Sequence, residues 1–210
     1  MNSVLITGGD LPLYRLVKDY LDADYICVAD SGLDWVLENK IEFDYLVGDM
    51  DSLSNIDLLN NIDNDKIYKL PTDKDDTDTL FGLKHLKEIG SNNITLIGGG
   101  GGRLDHLLGI FSLFTTDIAP DIWITAKEIV YCTKGKFPLD KFLGSSISVY
   151  PVNEVNCVIT SYGLKWELNS VDWKYKSIGI SNQVVISSGW IDSGTNKILI
   201  IIPIEGRRFE

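Results

Sequence analysis

Short apolar runs alternate with longer stretches of helical spacing through the first 125 residues, and this alternation limits the chain to few architectures. Ser3–Ile6, Tyr25–Val28, Tyr45–Val47, Lys66–Leu70, Asn93–Ile97 and Asp121–Thr125 read as buried strands. Between them, Leu11–Tyr20, Leu33–Asn39, Thr77–Ile89 and Leu104–Phe114 carry apolar residues at helical intervals. Strands that alternate with helices predict a doubly wound, mostly parallel sheet with helices on both faces.

The pattern changes near residue 127. From Ile129 onward the chain has short β-rich runs, among them Ser146–Tyr150, Val155–Thr160, Val184–Ser187 and Lys197–Ile202, separated by turn residues such as SSGW and DSGTNK. No convincing helix appears. The expected organisation is therefore an α/β domain over residues 1–127 followed by an all-β sandwich domain over residues 128–210.

The loops after the predicted strands of the first part share one chemistry. They read TGGD (7–10), ADSG (29–32), GDMDS (48–52), PTDKDDTD (71–78) and GGGGGRLDH (98–106). In a parallel sheet these belong to one rim, beyond the carboxyl ends of the strands, where ligands bind. Asp49, Asp51, Asp75, Asp76 and Asp78 would repel one another if gathered in a cleft. A bound Mg²⁺, which takes oxygen ligands from one or two carboxylates plus phosphates, resolves that repulsion. The plainer use of Asp49 is a helix cap or turn, and Asp73 and Asp76 could simply face solvent. Gly98–Gly102 precede a helix, so their N–H groups could hold an anion, and Gly8–Gly9 offer a second such loop. Neither is followed by GKS or GKT. Arg103 suits forked contact with phosphate oxygens. His106 either orients Asp105 or begins a helix.

Charge and cysteine content exclude other classes. Residues 1–127 carry 22 acidic and 10 basic side chains, a net of −12, while residues 128–210 are close to neutral. No basic stripe exists to neutralise nucleic-acid phosphates. No apolar run reaches the roughly 20 residues of a membrane span, and no basic stretch precedes the first apolar run as in a secretory signal. Cys27, Cys132 and Cys157 are odd in number and lack CxxC spacing. This argues against a disulfide framework or a zinc site and predicts a cytoplasmic protein.

ADSG, GDMDS, DKDDTD and GGRLDH, in this order and spacing, resemble the thiamine pyrophosphokinase family. The second half agrees: Gly163-Leu164-Lys165-Trp166 resembles the family's GLKW turn, and residues 177–182, SIGISN, its SxGxSN segment. Ser31 stands where a second Gly is usual and Glu167 where Pro is frequent.

The resemblance implies an Mg²⁺-dependent enzyme that moves a diphosphate from ATP to the hydroxyethyl oxygen of thiamine, giving thiamine diphosphate and AMP. It implies a homodimer whose thiamine site is shared between subunits. By the same resemblance Asp49, Asp51 and Asp78 hold the metal with Asp75 close by. Gly8, Gly9, Asp30, Gly32, Lys74 and Gly102 border the nucleotide and its phosphates. Arg103 and Asp105 contact phosphates and position the attacking hydroxyl. Trp166, Ser181 and Asn182 line the thiamine pocket. As a sequence, Trp166 could equally be a sandwich core residue. Two rivals stand beside this reading: a phosphatase with an Asp nucleophile in its DxD motif, and a non-catalytic sensor of thiamine or nucleotide. The DxD comes after the third strand rather than the first, which disfavours the phosphatase.

Overall fold

The chain divides into two compact units, Met1–Ala126 and Lys127–Glu210. The computed structural model describes residues 1–50, 56–71, 76–152, 157–173 and 179–205.

The first unit is built on six strands: β1 (Asn2–Ile6), β2 (Tyr25–Ala29), β3 (Tyr45–Gly48), β4 (Ile67–Lys69), β5 (Asn93–Ile97) and β6 (Ile122–Ile124). Every pairing is parallel, in the spatial order β6-β5-β1-β2-β3-β4. Val4, Leu5 and Ile6 are all buried, as a strand covered on both faces requires. The order reverses between β1 and β5, which makes the gap beyond their carboxyl ends the switch point of the sheet.

Helices α2 (Gly32–Glu38) and α3 (Asp78–Glu88) both pack on β1 and β2. In α3 the Thr77 hydroxyl accepts the Leu80 N–H at 3.2 Å, an N-cap. Leu83 and Leu86 are fully buried, worth about 1.5–3 kcal/mol each. Helix α4 (Leu104–Leu113) comes after the glycine run. The helix expected over Leu11–Tyr20 is much shorter: one α-turn, α1 (Tyr14–Val17), then a 3-10 turn, Lys18–Tyr20. Pro12 disfavours helical backbone at residue 11, Leu13 offers no side-chain cap, and Val17 leaves helical geometry at φ −123°.

The second unit has two antiparallel sheets, and among its described residues the only helical elements are 3-10 turns. In chain order its strands are β7 (Glu128–Thr133), β8 (Lys136–Pro138), β9 (Ser146–Pro151), β10 (Thr160–Tyr162), β11 (Gly179–Gln183), β12 (Trp190–Asp192) and β13 (Ile198–Pro203). One sheet runs β11-β9-β13-β7 and the other β10-β12-β8. Their inward residues, including Ile147, Val149, Ile191, Ile198 and Ile200, form one apolar core with Leu164, Leu168 and Trp173.

Two strand expectations move. The run at Val184–Ser187 is not a strand. The strand is Gly179–Gln183, and Val184, beyond its end, forms an isolated bridge to Leu164. Val185 and Ile186 instead aim their N–H groups at the Gly163 carbonyl, at 2.8 and 3.2 Å, which turns the chain. The run at Val155–Thr160 becomes a strand only at Thr160–Tyr162, with residues 155 and 156 outside the described set. Trp190, read as part of a turn, begins β12. Among the described residues, no helix is long and apolar enough to cross a membrane.

Candidate active site

Because the sheet of the first unit is parallel, the segments after β1, β2, β3 and β5 lie along one edge, and backbone bonds lace them together. Gly99 N–H donates to the Gly8 carbonyl at 2.7 Å and Asp10 N–H to the Gly100 carbonyl at 2.8 Å. Asp30 N–H donates to the Val47 carbonyl at 2.9 Å. The Thr7 and Thr79 hydroxyls meet at 2.8 Å, tying the start of α3 to the end of β1. Asp78, at the first position of α3, is thereby brought to the same edge as Asp30 and Asp49.

The backbone here is strained. Asp30 has φ +47° and Met50 φ +65°, a region that costs non-glycine residues energy and clusters at functional sites. Gly48 explains how Asp30 comes close: a Cβ there would stand 3.3 Å from the Asp30 Cα. Met50 buries its side chain at 2% exposure, which offsets its strain.

Asp49 is half-buried, and Asp30 and Asp78 each bury one carboxylate oxygen. Asp51, Lys74 and Asp75 lie outside the described residues. Among the described residues no group of three or more His, Cys, Asp and Glu side chains could hold a metal ion. The described members of the expected set, Asp49 and Asp78, offer carboxylate oxygens alone. Hard oxygen donors of this kind fit Mg²⁺ and do not favour the softer transition metals.

The glycine run serves packing before it serves any anion. A Cβ on Gly98 would stand 2.2 Å from the Thr7 carbonyl oxygen, and Gly98 has φ +100°. The N–H groups of Gly98 and Gly99 are engaged by the Ile124 and Gly8 carbonyls. Gly8 and Gly9 also line an open groove of about 590 Å³ with Asp10, Ser31, Asp34 and Trp35. Helical spacing alone assigns Trp35 to the apolar side of its helix together with Val36. The buried stripe of α2 is Leu33 and Val36, and Trp35 points away from it, half-buried, with its ring 6.5 Å from Tyr14. Its one-residue offset from the stripe is the signal that marks it.

Arg103 and Asp105 face each other directly. Arg103 Nη2 donates to Asp105 Oδ2 at 2.6 Å and Nε to Oδ1 at 3.1 Å. Hydrogen bonding to Arg103 holds the Asp105 carboxyl below the ordinary carboxylate range. The His106 backbone N–H also donates to Asp105 Oδ1, at 3.1 Å.

In the second unit, Trp166 is 57% exposed and is no core residue, while Trp173 is buried. Lys165 Nζ sits 4.5 Å from the centroid of the Trp166 indole, so the exposed ring already attracts a cation. Asn182 is buried at 4% exposure. Its Oδ1 accepts the Trp166 N–H at 3.1 Å and its Nδ2 donates to the Trp166 carbonyl at 2.6 Å. A side chain thus stands in for a rung of β-ladder. It is available because β11 bulges between Gly179 and Asn182, with Ser181 at φ +56°. Ser181 is exposed, and its N–H donates to Ser148 Oγ at 3.1 Å.

Comparison with known proteins gives a consistent result. The family model for the catalytic domain of thiamin pyrophosphokinase matches residues 17–125, and that for its vitamin B1 binding domain matches residues 136–197. A solved thiamin pyrophosphokinase from Geobacillus thermodenitrificans is similar in fold, with a TM-score of 0.78 at 23% identity over 97% of each chain. A thiamin pyrophosphokinase family protein from Enterococcus faecalis gives a TM-score of 0.79 at 22% identity, over 97% of this chain and 99% of its own. Yeast thiamin pyrophosphokinase gives 0.71 at 18% identity, over 98% of this chain and 87% of its own. No curated protein matches the chain by sequence.

Proposed function

This chain belongs to the thiamin pyrophosphokinase family and is a thiamine diphosphokinase; from that premise we propose how its residues move a diphosphate from ATP to thiamine. The observation that carries the proposal is the convergence of Asp30, Asp49 and Asp78 with the Gly8–Gly9 and Gly98–Gly102 loops on one edge of a parallel sheet. Such an edge binds nucleotides in open α/β folds.

Asp49, Asp51 and Asp78 would hold Mg²⁺, with Asp75 beside them. The ion, when bound, supplies positive charge against the triphosphate. Gly8, Gly9, Asp30, Gly32 and Lys74 border the nucleotide, and Gly102 and Arg103 face its phosphates. Asp105, ionised and aimed by Arg103, orients the thiamine hydroxyl. That oxygen attacks the β-phosphorus, and a new O–P bond forms. The bond from the β-phosphorus to the α,β-bridging oxygen breaks, AMP leaves with that oxygen, and the hydroxyl proton is released to solvent.

Trp166 stacks on thiamine, with Ser181 beside it and Asn182 holding the loop. An apolar aromatic wall suits a cationic aromatic substrate. In this reading residues 1–127 form the nucleotide and metal domain and residues 128–210 the thiamine-binding and dimerisation domain. A magnesium-dependent cytoplasmic homodimer that shares its thiamine site between subunits completes the proposal. It rests on the family resemblance and on the division of labour between an acidic first part and a near-neutral second part. The test is an assay with ATP, Mg²⁺ and thiamine, following both products. Equal amounts of AMP and thiamine diphosphate support the proposal; ADP with thiamine monophosphate overturns it.

A further inference from the structure

An exposed tryptophan cannot be aimed by packing, so something else must fix the backbone beneath Trp166. Upstream of it, the Gly163 carbonyl accepts two N–H groups, and Lys165 N–H donates to the Gln183 carbonyl at 2.9 Å. At Trp166 itself, Asn182 binds both backbone polar groups. Downstream the ties run through the side chains of Glu167, Ser161 and Asn169. Glu167 Oε1 accepts the Gly163 N–H at 2.8 Å, and Oε2 takes the Ser161 hydroxyl. Ser161 Oγ in turn accepts the Leu168 N–H at 2.8 Å, and Ser161 N–H donates to Asn169 Oδ1 at 2.8 Å. The Glu167 carboxylate therefore joins both ends of the loop around Trp166, holding the Gly163 N–H and the Ser161 hydroxyl whose oxygen in turn holds Leu168.

We infer that Glu167 is a positioning residue for thiamine binding: it fixes the direction in which the Trp166 ring is offered and does not itself touch the substrate. The inference rests on the reading that Trp166 stacks on thiamine. Without the carboxylate, the loop around Trp166 loses its ties at Gly163 and at the Ser161 hydroxyl while keeping those to Asn182 and Asn169, and ordering the loosened backbone weakens substrate binding. Glu167 has φ −65° and ψ 144°. That φ is the value a proline ring imposes, so a proline at this position would fix the same backbone without hydrogen bonds.

The test compares Glu167→Ala, Glu167→Pro and Trp166→Ala in the full chain, assayed with ATP, Mg²⁺ and thiamine. Glu167→Ala should raise KM for thiamine on the order of tenfold, the loss expected for a charge-assisted hydrogen bond. KM for ATP and kcat at saturating thiamine should stay within about twofold, since only binding is affected. Glu167→Pro should bring KM for thiamine back to within about threefold of the original, because it restores the backbone constraint. A general loss of structure would move both KM values and kcat together in Glu167→Ala, and that result overturns the inference. So does an unchanged KM for thiamine in Glu167→Ala when Trp166→Ala raises it. If Trp166→Ala itself leaves KM for thiamine unchanged, the stacking reading fails, and the fault lies there and not in the loop.

Discussion

Arg103 grips Asp105 across one intervening residue, with both a terminal and an internal guanidinium nitrogen within 3.1 Å of the carboxylate. Both side chains are largely exposed, so the pair contributes little to stability in water. Its effect is on Asp105, whose carboxyl it holds below the usual range. A depressed carboxyl favours the fold above its unfolded value and loses that contribution as pH falls through the folded one, and solvent makes the amount small here. Arg103→Ala should therefore leave Tm within about 2 °C of the original. It should lower kcat/KM on the order of a hundredfold through lost charge at the phosphates. Any acid limb of the rate profile that reports Asp105 should move to higher pH in the variant. Thermal melts and pH–rate profiles check both halves.

In the glycine run, packing and the proposed phosphate binding can be tested apart. Gly98→Ala would drive a Cβ into the Thr7 carbonyl at a positive φ, which should cost about 3 kcal/mol and lower Tm by roughly 10 °C. Gly102 also has a positive φ, +65°, but its Cβ would meet nothing within 4 Å. Gly102→Ala should cost only about 1 kcal/mol while weakening ATP binding. Equal losses of stability in the two variants would contradict this division.

His85 gives the first unit a pH dependence of its own. Its ring stacks on Tyr45 with centroids 4.1 Å apart, and Nε2 lies 3.2 Å from the Tyr25 hydroxyl. Burial lowers its pKa, opposed by Glu88, while burial pushes Tyr45 up to about 12. Neutral His85 is the folded form, so its contribution is complete above the unfolded value of about 6.5. It is lost as pH falls from there through the lowered folded value. Tm should drop more between pH 7 and pH 5 in the original protein than in His85→Phe, measured by thermal melts in one buffer series.

Much of this architecture could be read directly from residues. Parallel strands buried on both faces read as short, mostly apolar runs, so β1, β2 and β5 stand out in the sequence, and topology places the Gly and Asp loops after them. Apolar spacing overstates the helix at 11–20 because it weighs neither Pro12 nor the missing cap. The strand near 184 misled because Val184, Val185 and Ile186 are all apolar, although Val185 is exposed and the turn is set by the distant Gly163 carbonyl. Trp166 was ambiguous for the same reason: exposure depends on Asn182 and the β11 bulge, which pair residues 16 apart in sequence. No local pattern encodes that contact.

The proposed sharing of the thiamine site between subunits has a direct test by complementation. Asp49→Asn should remove most activity through about 3–4 kcal/mol of lost transition-state stabilisation, with the fold intact. Trp166→Ala should raise KM for thiamine and leave KM for ATP nearly unchanged. Mixing the two inactive or weakened proteins and allowing subunits to exchange should restore part of the activity, because one site of each mixed dimer receives both original residues. Exchange without any recovery would mean that each chain builds its site alone.

In the proposed reaction the thiamine hydroxyl attacks the β-phosphorus of ATP. ATP carrying oxygen-18 only at the α,β-bridge, incubated with this protein, Mg²⁺ and thiamine, tests it most directly by mass spectrometry of the products. All of the label should leave in AMP and none should enter thiamine diphosphate. Label retained in ADP, or found in the phosphorylated thiamine, would contradict it.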